Sequence, residues 1–91
     1  MCLGAILACN LKNLPEEVTN SVKSFFYYLE NWLQKTIFDG SLSLEFSENL
    51  NPLEEAQSIM MLLEGTLLLS RLDQDKNRLV ILKRNIIRNL T

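Results

Sequence analysis

The side chains that carry reaction chemistry are few and poorly spaced for it. The chain has no histidine, which removes histidine acid–base catalysis, Ser-His-Asp and Cys-His nucleophiles and most zinc sites. Its carboxylate pairs, Glu16-Glu17 and Glu54-Glu55, are adjacent in sequence. Adjacent positions on a helix point about 100° apart rather than converging on one substrate, so both pairs fit helix-start electrostatics better. Glu45 and Glu48 fall in a predicted loop and suit only weak binding of a hard cation. No Gly-rich phosphate loop, CxxC pair or metal spacing is present. Cys2 and Cys9 are seven apart; on a helix they share a face about 10 Å apart along the axis, too far for a disulfide. They read as two reduced, buried small hydrophobes. The expectation is a protein that is not an enzyme and uses no metal or cofactor.

The elements that would position these residues are helices. Hydrophobic residues are 47% of the 91 and charged ones 22%, a globular mixture rather than a disordered one. Breaks at Asn13–Pro15, Asp39–Pro52 and Asp73–Asp75 leave four apolar-periodic segments with no internal repeat. The first, Met1–Lys12, is apolar almost all round and has no capping residue before it, as a fragment of a longer helix would. The second opens on Asn13-Leu14-Pro15-Glu16-Glu17, a strong helix start. Its stripe runs Val18, Val22, Phe25, Leu29, Trp32 to an end near Asp39-Gly40, where Gly40 is expected to take a left-handed cap.

Residues 41–51 read as a loop packed by its own Leu and Phe side chains, since no second strand is available to pair with them. The third helix starts at Asn51-Pro52 and is apolar on several faces, so it must be covered on two sides. Gly65 in its interior costs up to about 1 kcal/mol relative to Ala, which predicts close approach of another helix. The fourth, from Asp75 to Leu90, carries Leu79, Leu82, Ile86 and Leu90 on one stripe. Together they give an all-α, four-helix bundle-like domain over residues 1–91.

Charge divides unevenly. Residues 1–70 hold three Lys against nine carboxylates, a net −6, and residues 71–91 hold six cations against Asp73 and Asp75, a net +4. The basic end suits the C-terminal end of a helix dipole better than a nucleic-acid surface, because such domains are usually basic as a whole. Nothing approaches the roughly 18 apolar residues of a membrane span, and no Lys or Arg precedes the short apolar start as a signal peptide would require. The expected localisation is cytoplasmic, with no membrane partner.

Laid out in order, these segments resemble the C-terminal half of a TetR-family transcriptional regulator. Cys2-Leu3-Gly4 and the apolar helix it opens resemble the "GCL" helix of that family's regulatory domain, with Met1 where the family usually has Gly. Leu14-Pro15-Glu16-Glu17 resembles the "DPE" start, and Phe25-Phe26, Leu29, Trp32 and Leu33 resemble the aromatic-rich helix that follows. Gly40-Ser41-Leu42, then Asn51-Pro52-Leu53-Glu54-Glu55-Ala56, resemble the "GEL … DPE-x-A" connection. Leu63-Glu64-Gly65-Thr66-Leu67-Leu68-Leu69-Ser70-Arg71 resembles the "LEG-x-LLLAR" helix, the most telling stretch.

The resemblance implies two activities: holding a small effector between helices, and pairing the last two helices with those of a second copy. The effector pocket would draw on Phe25, Phe26, Leu29, Trp32, Met60 and Met61, residue types that line adaptable apolar cavities and equally fill cores. Tyr27 and Tyr28 add hydrogen-bond donors. The homodimer interface would draw on Ile59, Leu62, Leu63, Gly65, Thr66, Leu69 and Ser70 with Leu79, Leu82, Ile86 and Leu90. Size argues for association independently, since two heavily apolar helices in a short chain have little polar surface to cover them. The family's DNA-reading helix-turn-helix lies upstream of this region, so DNA would be reached only through that absent module. The chain is accordingly expected to be an excised domain or a shortened relative. The alternative is a stand-alone helical interaction module that holds a partner helix.

Overall fold

Local start signals fix most of the architecture. In the computed structural model, which describes residues 3–91, the chain forms α1 (Leu3–Ala8), a 3-10 turn (Leu11–Asn13), α2 (Glu16–Leu42), α3 (Pro52–Asp73) and α4 (Asn77–Leu90). The fold is all-α, with no strand among the described residues. Pro15 precedes α2 and the Thr19 amide bonds its carbonyl, placing Glu16 and Glu17 against the positive end of the helix dipole. At α3 the Asn51 side chain accepts from the Glu54 amide at 3.1 Å, a side-chain cap on an otherwise unpartnered donor.

The turn between α3 and α4 is equally explicit. Gln74 takes the left-handed conformation, φ 54°, and Asp75 Oδ1 accepts from the Asn77 amide at 2.9 Å. Neighbouring helices pack in chain order: α1 on α2, α2 on α3, α3 on α4. Ile37, Ala56 and Leu90 form the central buried cluster, with Leu33, Phe46, Leu50, Ile59 and Ile86 around it. Val22 and Leu82 are buried elsewhere.

Three local expectations are corrected. The first segment is helical only to Ala8 and then breaks into the 3-10 turn. Cys9, one residue past the helix, is therefore exposed rather than buried; Cys2 lies outside the described residues. Gly40 does not terminate α2, which continues to Leu42, and no glycine has positive φ. The left-handed residue is Leu44, φ 64°. Gly40 has a different task, argued in the Discussion.

The molecule is flat. Its dimensions are 45 × 31 × 13 Å and its radius of gyration is 15.0 Å, against roughly 12 Å for a compact chain of this length. Its accessible surface is 6791 Å², whereas a folded monomer of this mass exposes roughly 5,400 Å².

Candidate interaction surfaces

The surplus surface is apolar, and helix geometry says where it lies. Residues Met61, Leu68 and Leu72 of α3 are 68%, 46% and 77% exposed. Seven and four positions apart, they form one row along the helix. Gly65 lies in the same row, and a Cβ built there meets nothing within 4 Å. The close approach expected at Gly65 is thus absent within one copy. The opposite side of α3, through Ala56, carries the buried contacts.

The predicted interface residues fall on three levels. Leu82 and Leu90 are buried within the copy, and Ile59 and Ile86 pack on the central cluster. Leu63, Thr66 and Ser70 are half-buried, and the Ser70 hydroxyl oxygen has no hydrogen-bond partner. Leu62, Gly65, Leu69 and Leu79 are exposed. Leu62, Thr66 and Leu69 line an open groove with Arg78, Ile81, Leu82 and Asn85 of α4. Val80 and Ile87 are half-exposed on α4. Sequence reasoning missed Met61, Leu68, Leu72, Val80 and Ile87 as surface residues. The spacing of 61, 68 and 72 was the available signal.

The predicted effector residues are partly brought together. Phe25 and Phe26 meet edge to face, ring centres 5.5 Å apart. A methyl on Gly4 would come within 3.2 Å of both rings, so α1 rests on this aromatic pair. Leu29 and Met60 are half-buried. Trp32 is 57% exposed and shares a face with exposed Phe25 and Tyr28 at spacings of four and three. Met61 points about 100° away from Met60, on the outer row of α3.

Electrostatic structure is concentrated at the α3–α4 turn. Asp73 Oδ2 accepts from Arg78 Nη2 at 2.6 Å and Nε at 2.8 Å, and Asp73 Oδ1 accepts from the Asp75 amide at 3.0 Å. The Arg78 hydrogen bond, helped by the Asp75 amide, holds the Asp73 carboxyl below its ordinary value. The same pair pushes Arg78 up. This exposed pair orders a turn and carries no reaction chemistry. Among the described residues no group of three or more His, Cys, Asp or Glu could hold a metal ion, and no helix is long and apolar enough to cross a membrane.

Comparison with protein-family models, curated proteins and solved structures returns no match to this chain.

Proposed function

We propose that this chain is the dimerising, effector-binding part of a transcriptional regulator of the TetR type. Two copies pair through α3 and α4, and a small apolar or aromatic effector is held by the aromatic residues of α2 with Met60. DNA is reached through a helix-turn-helix outside these residues. The order and spacing of the sequence motifs support the family. The observation that carries the pairing is the apolar outer row of α3 together with the surplus surface. That surplus is roughly 1,400 Å² per copy; doubled, it falls in the range of about 2,000–5,000 Å² that obligate homodimers bury. Gly65, open in one copy, would let a second helix approach closely along that row.

Light scattering at micromolar concentration tests the pairing. A dimer is expected, converted by the double substitution Met61→Lys and Leu68→Lys into a monomer that keeps its helical circular dichroism. A monomer from the unsubstituted chain would remove the proposal.

A second reading has its own support. The exposed row Phe25, Tyr28 and Trp32 is shaped like a platform for a partner helix rather than a closed pocket for a small molecule. Compounds that shift Trp32 fluorescence and the melting temperature favour the effector. A silent panel, with the dimer intact, favours the interaction module.

A further inference from the structure

We infer that the groove at the α2–α3 connection is a docking site for a basic amphipathic helix of a partner polypeptide. Its walls are Phe38 and Leu42 from α2, Leu44, Glu48 and Leu50 from the loop, and Pro52 at the start of α3. It is independent of the α3 outer row and of the α2 aromatic row, neither of which contributes a wall.

The groove is apolar and uncovered. Phe38, Leu42 and Leu44 are each half to two-thirds exposed, an apolar cluster of the kind that marks interaction sites. Leu44 is held there against its own preference. Its φ of 64° lies in the left-handed region, where a Cβ is disfavoured and Gly or Asn is the usual occupant. Hydrogen bonds impose it: the Leu44 amide to the Ser41 carbonyl at 3.2 Å, and the Glu45 and Phe46 amides to the Gly40 carbonyl at 3.0 Å. The fold therefore presents a leucine to water at a position that another residue would occupy with less strain.

Charge selects the occupant. Between Lys35 and Arg71 the sequence has six carboxylates and no Lys or Arg. Glu48 stands in the groove wall, Asp39 and Glu45 line the neighbouring hollow, and Glu54 is two residues beyond Pro52. Among the described residues no ion pair neutralises any of these four. Such a rim repels nucleic acid and anionic membranes and attracts a cationic partner. The partner's backbone must also satisfy itself. The loop amides of Leu44, Glu45, Phe46, Ser47 and Asn49 already have acceptors, so an extended segment would find few donors. A helix brings its backbone bonds with it and offers apolar anchors at i, i+3 or i+4 and i+7 between flanking Lys or Arg.

The test uses a fluorescently labelled Leu/Lys amphipathic peptide of about 15 residues, long enough to form a helix, and its Leu/Glu counterpart. Anisotropy with the whole chain is expected to show micromolar binding of the Leu/Lys peptide and none of the Leu/Glu peptide. L44G and E48K should each weaken binding at least about tenfold, while E17K, the same charge change at the far end of α2, should not. L44G relaxes the left-handed position, so its melting temperature should rise; lost binding then cannot be ascribed to lost folding. Absence of binding, binding that survives L44G, or equal weakening by E17K overturns the assignment. Self-association abolished by L44G would put a second copy in the groove and overturn it as well. Light scattering scores the α3 pairing separately.

Discussion

The ring of Phe46 lies directly on the backbone of Gly40, where any side chain on Gly40 would overlap it. The Gly40 carbonyl accepts from the Glu45 and Phe46 amides and from the Ser43 hydroxyl. One residue further, the Ser47 amide donates to the Leu90 carbonyl at 2.8 Å. This short stretch ties the end of α2 to the end of α4 and seats Phe46 against Ile37, Ala56 and Leu90.

Gly40→Ala is therefore expected to destabilise the fold by about 1–3 kcal/mol, the usual cost of forcing a methyl into a packed site. Urea denaturation followed by circular dichroism measures it. An unchanged midpoint would mean that Phe46 does not rest on this backbone.

Gly65→Ala should act in the opposite sense. The site is open in one copy and interior to α3, so Ala should add up to about 1 kcal/mol of helix stability in the monomeric Met61→Lys, Leu68→Lys background. In the unsubstituted chain the gain should shrink, because the methyl then meets the partner helix. The same gain in both backgrounds would contradict pairing over Gly65.

The α3–α4 turn gives a pH dependence. Asp73 has its folded pKa lowered by Arg78, so its contribution is present above the ordinary aspartate value and is lost as pH falls through the folded one. The affected window begins near pH 4 and extends below it. Asp73→Asn should flatten the acid limb of the melting temperature between pH 4 and lower values. The effect should weaken with salt, as expected for an exposed pair. Superimposable acid limbs for the two proteins would show that the pair contributes nothing.

Trp32 is the one tryptophan and is largely exposed, so its emission should be that of indole in water. An apolar aromatic compound held on the α2 face should shift it to the blue and raise the melting temperature together. Response of one observable without the other would place the compound elsewhere.

What the sequence made legible was local. The Asn51-Pro52-Leu53-Glu54 start encodes its own cap, and Asp73-Gln74-Asp75 encodes its own turn, because each hydrogen bond joins residues within three positions. Gly40 was legible as special but not in its reason: a glycine near a helix end suggests a left-handed cap, while the actual cause is a ring six residues later. The burial of Cys9 followed from a helix taken past Ala8, and no local residue marks that end. The outer face of α3 was hidden for a different reason. Leucines and methionines surround that helix, so periodicity alone ranks no face, and only the positions of α2 and α4 show that Met61, Leu68 and Leu72 are left outside. The clustering of Phe25, Phe26 and Gly4 likewise depends on how α1 folds back onto α2.

The central claim is that the flat, apolar-faced copy seen here is half of a dimer. Its most direct test is the mass of the unsubstituted chain by light scattering across micromolar concentrations. The mass of two chains, falling to one on substitution of Met61 and Leu68 by Lys, is the expected result. A single-chain mass throughout, with native helical content, would contradict it.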